Sequence, residues 1–264
     1  MNLPLLGMGT WGMGGRFEQE SANRRESIDA LRYGLELGIR LIDVAEIYGA
    51  GLSEKIVGEA IKGFPRDEVF IISKVWKEHL RYDAVLRAAR ASLERLGADY
   101  LDLYLVHWQN PAVPLQETMK AMEKLVKEGL AREIGVSNFD VPLMREAQTH
   151  LSRARLFANQ IEYNLAARAA EKEVIPFCKA QGMRVIAYRP LAKGAIPNTA
   201  NALLAELAAR YGKTPAQVAL NWVVSKGMTA IPKAGRIAHI KENLGSLGWR
   251  LSPEDSALLD DSHF

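Results

Sequence analysis

Short apolar runs alternate with longer amphipathic stretches along the whole chain. Eight of these runs have the length of a strand, and several are rich in valine and isoleucine, as strands buried on both faces of a parallel sheet are. They are Leu3–Met8, Ile39–Val44, Val69–Val75, Leu101–Val106, Glu133–Val136, Leu156–Ile161, Met183–Tyr188 and Met228–Ile231. The pattern therefore predicts eight buried strands.

Between the runs, apolar residues recur at helical spacing. The predicted helices are Ser21–Leu37, Ser53–Lys62, Ala84–Leu96, Leu115–Glu128, Val141–His150, Ala170–Gln181 and Ala200–Lys226. Gly97, Gly129 and Gly182 follow three of them, where a glycine commonly ends a helix. Asp83 is predicted to cap the third helix, and Pro215 divides the last region into two helices.

Strands that alternate with helices predict an α/β protein with a parallel sheet. The 264 residues shared among eight strand–helix units leave about 33 residues for each unit, which fits a (β/α)8 TIM barrel. The competing architecture is a doubly wound sheet. Its dinucleotide-binding motif is missing, because the glycines of 7–15 are not spaced as G-x-G-x-x-G at the start of a helix. We predict one domain over 1–264, an eight-stranded parallel barrel with short active-face loops.

The composition fits a large globular core, with 48% hydrophobic and 25% charged residues. The net charge is +3, and acidic and basic residues are interspersed, so no basic stripe indicates a nucleic-acid partner. The sequence contains no run of about 18 apolar residues, so no membrane span is predicted. The first residues, Met1-Asn2-Leu3-Pro4, lack the features of a signal peptide.

The single cysteine, Cys178, excludes an internal disulfide and a thiolate metal cluster. We therefore predict a cytoplasmic protein with no metal, no nucleic acid and no membrane among its partners. A monomer or a weak oligomer is expected.

Polar residues follow three successive predicted strands. Asp43 ends the second strand and Tyr48 lies in the loop after it, Lys74 ends the third strand, and His107 follows the fourth. Each residue alone is typical of a rim side chain or a helix cap. Together they indicate a site, because the loops after the strands form the active face of a barrel.

These residue types suit the protonation of an oxygen. An ammonium near a tyrosine favours the phenolate, and a shift of about 2–3 pKa units corresponds to about 3–4 kcal/mol. A histidine beside the tyrosine can donate a hydrogen bond to a substrate oxygen. We therefore expect carbonyl reduction with Asp43, Tyr48, Lys74 and His107 as catalytic residues. A lyase that uses Lys74 to form a Schiff base is the alternative enzyme class.

The chain resembles the aldo-keto reductase superfamily, in particular its short prokaryotic-type members, in segments that keep their order over nearly the whole length. The matching segments are Gly9-Thr10-Trp11, Leu41–Gly49, Ile72–Val75, Asp102–Trp108, Ile134–Phe139, Asn159–Asn164, Ile231–Ala234 and Glu242-Asn243. The resemblance implies a barrel that binds NADP(H), with Tyr48 as the general acid. It also leaves open a non-catalytic NADP(H)-binding barrel with a regulatory or structural role.

The resemblance further implies which residues contact the cofactor and the substrate. The expected cofactor contacts are Thr10, Trp11, Ser137, Asn138, Gln160, Tyr188, Arg189, Leu191, Lys193, Lys233, Ala234, Arg236, His239, Glu242 and Asn243. Substrate contacts are expected from Trp11, Trp76 and Trp108, whose rings suit small-molecule carbonyl substrates. The short loops after His107 and at the C-terminus indicate an open pocket and a broad substrate range.

Two basic positions bear on the phosphates. Arg189 replaces the serine that the family usually carries after Tyr188, and it adds a cation near the expected diphosphate. The alternative is that Arg189 pairs with an acid at the rim. Lys233 matches the lysine that faces the 2′-phosphate, so a preference for NADPH over NADH is expected.

Overall fold

The structure is a computed structural model that describes residues 3–262 and residue 264. Met1, Asn2 and His263, which the predicted domain includes, lie outside the described residues. Eight strands form one parallel sheet whose order follows the chain. They are β1 (Gly7–Gly9), β2 (Leu41–Asp43), β3 (Phe70–Val75), β4 (Leu101–Val106), β5 (Ala131–Ser137), β6 (Leu156–Glu162), β7 (Arg184–Tyr188) and β8 (Thr229–Ile231).

The sheet curls until its first strand meets its last. Parallel bridges join Leu6 to Ala230 and Gly9 to Lys233, and the Gly9 amide donates to the Pro232 carbonyl at 2.9 Å. The predicted α/β barrel is therefore confirmed. All eight predicted strands are found, with ends that differ by up to four residues.

Helices connect the strands around the outside of the barrel. They are α1 (Arg24–Glu36), α2 (Leu52–Ala60), α3 (Tyr82–Leu96), α4 (Leu115–Lys127), α5 (Val141–Thr149), α6 (Val174–Ala180), α7 (Ala195–Asn198), α8 (Ala202–Tyr211), α9 (Pro215–Ser225), α10 (Ile237–Leu244) and α11 (Pro253–Asp261). The division at Pro215 is confirmed, because Thr214 caps α9 with a complete capping box. No helix within the described residues has both the length and the apolar character to cross a membrane.

The cap predicted at Asp83 is wrong. The helix α3 begins at Tyr82 and its N-cap position is Arg81, so Asp83 lies inside the first turn. An acidic side chain there still interacts favourably with the positive end of the helix dipole. Gly97 ends the same helix in the left-handed conformation, with φ of 61°, as predicted.

Two apolar layers hold the barrel together. One fills its interior and includes Leu41, Ile72, Leu103 and Ile186. The other and larger layer lies between the strands and the helices. Because side chains alternate along a strand, most strands, such as β3 and β4, contribute to both layers.

Candidate active site

A buried ion pair lies at the C-terminal ends of β2 and β3. The Lys74 ammonium donates to Asp43 Oδ2 at 2.8 Å and to the Val44 carbonyl at 2.8 Å. Its third contact is the Tyr48 hydroxyl, 3.4 Å from Nζ. All three N–H groups of the ammonium are thereby directed at oxygen acceptors, and the Tyr48 oxygen is one of them.

Burial determines the protonation of this cluster. It lowers the pKa of Lys74, which the Asp43 carboxylate beside it raises. Burial also raises the pKa of Tyr48 well above its ordinary value, and Asp43 raises it further. The lowering of the tyrosine pKa that the neighbouring ammonium predicts is therefore outweighed, because desolvation of the phenolate acts in the opposite direction. Tyr48 keeps its proton, as a general acid must before the reaction.

His107 lies beside this cluster as a neutral imidazole. Burial lowers its pKa well below the ordinary histidine value, and the charge of Lys74 lowers it further. Its ring packs edge-on against Tyr48 with 5.7 Å between the centroids. Its Nδ1 is buried without a hydrogen-bond partner among the described residues. Since a buried polar atom is normally paired, this ring is suited to binding a polar group.

Asp43 is held in place from β6 and from the loop after β1. Gln160 Nε2 donates to Asp43 Oδ1 at 2.7 Å, and the Thr10 hydroxyl donates to the Asp43 carbonyl at 2.9 Å. Both Gln160 and Thr10 are buried. Both are predicted as cofactor contacts, and the structure brings their side chains to Asp43 instead of the open face.

A second polar cluster joins the ends of β4, β5 and β7. The Tyr188 hydroxyl donates to Asn138 Oδ1 at 2.9 Å. Asn138 Nδ2 donates to Ser137 Oγ at 3.0 Å and to the His107 carbonyl at 3.3 Å. The structure therefore brings together three residues predicted to contact the cofactor and places them next to His107.

Backbone strain is concentrated on this face. Among the described residues, five that are not glycine have a left-handed backbone, namely Ala50, Asn138, Arg189, Ala192 and Lys193. All five lie in loops that follow strands at the active face. Each such conformation costs on the order of 1–3 kcal/mol, and such residues cluster at active sites and ligand clamps.

The basic residues predicted near the phosphates are exposed at the rim. Arg189 Nη1 lies 3.2 Å from Glu162 Oε2, so the interpretation of Arg189 as a rim arginine paired with an acid describes this structure. Arg236 Nε lies 3.8 Å from Glu26 Oε1. Lys233 Nζ approaches the backbone of Gly12 so closely that a Cβ there would lie 3.2 Å from it.

The other predicted cofactor residues fall into two groups. Lys193 and His239 are exposed, and Leu191 and Glu242 are partly exposed, so these four are accessible to a ligand. Ala234 and Asn243 are buried. Asn243 Nδ2 donates to the Lys233 carbonyl at 3.4 Å, which makes it a support of the loop after β8.

Aromatic rings form a row across the mouth of the barrel. Trp11 packs against Tyr48 with 4.9 Å between centroids, and Trp76 packs against His107 at 5.2 Å, both edge-on. Trp108 is 43% exposed and lies at the rim. The structure therefore brings Trp11 and Trp76 to the catalytic candidates.

Phe17 extends this row and is missed by the sequence analysis. It is 57% exposed, and its ring packs edge-on against Trp11 with 5.2 Å between centroids. Its loop is anchored to the Tyr48 turn, since the Gly49 amide donates to the Arg16 carbonyl at 2.8 Å. The available signal was an aromatic residue in the glycine-rich segment after the first strand, at a position outside any helix or strand.

Lys74 is inaccessible as a nucleophile in this arrangement. Its side chain is completely buried and its ammonium is surrounded by acceptors. A Schiff base requires a neutral amine that a substrate carbonyl can reach. The geometry therefore disfavours the lyase alternative.

Comparison with known proteins agrees with this geometry. Residues 5–263 match the sequence profile described as the Aldo/keto reductase family. The methylglyoxal reductase YeaE of Escherichia coli is 42% identical over 100% of this chain and 92% of its own length. The glyoxal reductase of Bacillus subtilis is 37% identical over 98% of this chain and 89% of its own length.

Solved structures give the same result. The thermostable aldo-keto reductase Tm1743, in complex with the inhibitor epalrestat, superposes with a TM-score of 0.94 at 42% identity, covering 98% of this chain and 94% of that one. An aldo/keto reductase of Klebsiella pneumoniae, in complex with NADP and acetate, has a TM-score of 0.87 at 41% identity, covering 98% and 90%. The chain belongs to the aldo/keto reductase family.

Proposed function

We propose that this protein reduces aldehydes and ketones to alcohols with NADPH, and that Tyr48 is the general acid. The observation that carries the proposal is the contact of the Lys74 ammonium with the Tyr48 hydroxyl oxygen, 3.4 Å from Nζ, in a buried setting. Lys74 donates to that oxygen, so the proton of Tyr48 is free to point at a substrate. The reductases among the relatives support this over a non-catalytic barrel.

The side chains divide the work of protonation. The carbonyl oxygen gains negative charge as its carbon is reduced, and it then takes the Tyr48 proton. Lys74, fixed by Asp43, stabilises the charge that forms on the tyrosine oxygen. Neutral His107 donates an N–H to the same substrate oxygen and orients the carbonyl.

NADP(H) fits the residues of the open face. When bound, NADPH supplies the hydride that the carbonyl carbon accepts. The Ser137–Asn138–Tyr188 cluster offers an aromatic face, a hydroxyl and one side-chain amide for the nicotinamide. Lys233, beside the Gly12 backbone, offers a cation for the 2′-phosphate, and the relatives crystallised with NADP or NADPH support this assignment.

The substrate range we propose is broad and includes small dicarbonyl aldehydes. The relatives named methylglyoxal reductase and glyoxal reductase support that class. The aromatic row of Trp11 and Trp76 supports apolar carbonyls in general. We also propose that the chain acts as one domain, as a monomer or weak oligomer in the cytoplasm, a reducing compartment that suits the free thiol of Cys178.

The test is Tyr48→Phe, with consumption of NADPH in the presence of methylglyoxal and benzaldehyde as the readout. We expect turnover to fall at least about a hundredfold, because a positioned proton donor contributes 10²–10⁴, while the Kd for NADPH changes little. Tyr82→Phe on α3 is the matched control. Retained turnover in Tyr48→Phe would exclude the general acid, and equal kcat/KM for NADH and NADPH would exclude the phosphate assignment.

A further inference from the structure

A second ion pair, whose carboxylate is buried, lies next to the turn that carries Tyr48. Glu54, on α2, is completely buried. Its Oε1 accepts a hydrogen bond from the Ser73 hydroxyl at 2.6 Å, and its Oε2 accepts one from Arg95 Nε at 2.6 Å. Ser73 precedes Lys74 on β3. One carboxylate therefore connects α2, α3 and the strand that carries the catalytic lysine.

Arg95 also contacts the Tyr48 turn directly. Gly51, three residues after Tyr48, has a left-handed backbone with φ of 87°. A Cβ at Gly51 would lie 2.8 Å from Arg95 Cδ and 2.9 Å from its Nε, so only a glycine allows this approach. The Arg95 guanidinium is fixed in turn by Glu54 and by Ser92 Oγ, 3.2 Å from Nη2. The Tyr48 turn therefore packs against the Arg95 side chain, which is itself held by hydrogen bonds.

Stability alone does not account for such a pair. The desolvation of two charges offsets much of their attraction, and apolar residues of similar volume are often at least as stabilising. What the charges add is direction, because each hydrogen bond fixes one element relative to the others. The three elements fixed here are α2, which follows the Tyr48 turn, β3, which carries Lys74, and α3, which carries Arg95.

We propose that Glu54 and Arg95 are positioning residues for the reduction. They hold the Tyr48 turn against β3, so that the tyrosine hydroxyl stays in contact with the Lys74 ammonium. This rests on the proposed function, since it assigns the placing of the proton donor that the reduction uses. We assign neither residue a contact with the substrate or the cofactor.

The pair also affects the charge of Lys74. The groups around this lysine are Asp43 from β2, Tyr48 from the turn and His107 from β4. Glu54 from α2 lies on the other face of β3, where it contacts Ser73. Glu54 contributes to raising the Lys74 pKa. Neutralising Glu54 removes that effect and leaves the Arg95 cation unopposed. The lysine then loses its proton at a lower pH, which a purely structural contact would not cause.

The experiment compares Glu54→Gln with Glu59→Gln, a control on the same helix whose partner is the partly exposed Arg24. For Glu54→Gln we expect kcat for methylglyoxal to fall about tenfold to a hundredfold, the range that small displacements of a reacting group produce. The Kd for NADPH should stay within about twofold. The alkaline limb of the kcat–pH profile should move to lower pH, and Glu59→Gln should change none of these.

Three further variants keep the test decisive if Glu54→Gln folds poorly. Glu54→Gln/Arg95→Met removes both charges, and we expect its unfolding midpoint to recover while kcat stays low. Ser73→Ala removes only the hydrogen bond between Glu54 and β3, and we expect it to lower kcat less than Glu54→Gln does. We expect a similarly small loss of kcat in Arg95→Lys, which keeps the positive charge. Recovery of kcat in the double variant, or unchanged kcat and pH limb in the single variants, would overturn the proposal.

A readout without turnover separates this proposal from the proposed function. In protein with 13Cε-labelled lysine, the Lys74 resonance, assigned with Lys74→Met, should titrate at lower pH in Glu54→Gln than in the unsubstituted protein. If the protein reduces no carbonyl but this shift is present, the proposed function is wrong, while the coupling of Glu54 to the titration of Lys74 is supported. If carbonyls are reduced and neither kcat nor the titration changes, the coupling is wrong.

Discussion

Gln160 donates its side-chain amide to Asp43 at 2.7 Å, although 117 residues separate the two in the chain. The other oxygen of the same carboxylate accepts from Lys74. Asp43 therefore has both oxygens engaged by groups from opposite parts of the barrel. A carboxylate fixed in this way holds the lysine, and through it the oxygen of Tyr48, before any substrate arrives.

Lys74→Met tests that arrangement. It leaves Asp43 as a buried carboxylate without a cation, so we expect the free energy of unfolding to fall by about 3–5 kcal/mol in urea. We expect kcat/KM for methylglyoxal to fall by roughly 10²–10³, as when one preorganised electrostatic group is lost.

The double variant Asp43→Asn/Lys74→Met separates the two effects, because it removes both charges. Stability should return and turnover should not. Lys77→Met, on the exposed turn after β3, is the control and should match the unsubstituted protein. A Lys74→Met protein of normal stability and turnover would contradict the role of the pair.

His107 predicts a pH dependence of stability. Its pKa in the folded protein is lowered by burial and by Lys74, so below about pH 6.5 the unfolded chain binds a proton that the folded chain excludes. Stability must then fall as the pH is lowered from 7 to 5, by at most about 1.4 kcal/mol per pH unit from this group. Urea unfolding of His107→Gln should show a shallower slope over that window. The same slope in both proteins would show that His107 is not the group responsible.

The strands were predictable because each is an apolar run, but their ends depend on neighbours. The first strand is predicted over Leu3–Met8 and is found at Gly7–Gly9. Gly7 and Gly9 belong to the first strand because the neighbouring strands approach it closely. A Cβ at Gly7 would lie 2.2 Å from Leu41 Cδ2, and one at Gly9 would lie 2.9 Å from the Ile231 carbonyl oxygen.

The catalytic candidates were predictable because residue type and strand order brought them to one face. Their energetics were not, since the pKa of Tyr48 depends on how completely the fold excludes water. The pairing of Gln160 with Asp43 also depends on barrel closure, which leaves no trace in local sequence. Glu54 is the same case, because a carboxylate in an amphipathic helix is ordinarily exposed.

The pair formed by Arg189 and Glu162 predicts an effect on cofactor binding. Both side chains are about 40% exposed and the ion pair competes with any phosphate for the guanidinium. Glu162→Gln should therefore lower the Kd for NADPH by about two- to fivefold at low salt, consistent with a surface pair worth up to about 1 kcal/mol. Fluorescence titration at 20 mM and 300 mM NaCl measures it, and the gain should shrink at high salt.

Arg189→Ser is the reciprocal change, because it restores the residue usual in the family and removes the cation. The Kd of Arg189→Ser for NADPH should rise, and adding Glu162→Gln to that variant should not change the Kd further. If Glu162→Gln still tightens binding when Arg189 is serine, the ion pair is not the cause.

Phe17 predicts a change in specificity. An exposed phenylalanine whose ring packs edge-on against Trp11 has apolar surface available to a substrate. Burying such a ring fully contributes about 1.5–3 kcal/mol, so Phe17→Ala should lower kcat/KM for benzaldehyde or a long-chain aldehyde by roughly tenfold. Methylglyoxal has little apolar surface to bury against the ring, so its kcat/KM should stay within about twofold, as should the Kd for NADPH.

The matched controls for Phe17→Ala are Leu258→Ala on α11, which removes an apolar side chain of similar exposure, and Phe17→Leu, which keeps apolar volume at the same place. Leu258→Ala should leave all aldehydes unchanged, and Phe17→Leu should recover part of the loss for large ones. An equal fall for small and large aldehydes would mean that Phe17 supports the loop next to the Tyr48 turn. A fall confined to large aldehydes means that the loop after β1 forms one wall of the substrate pocket.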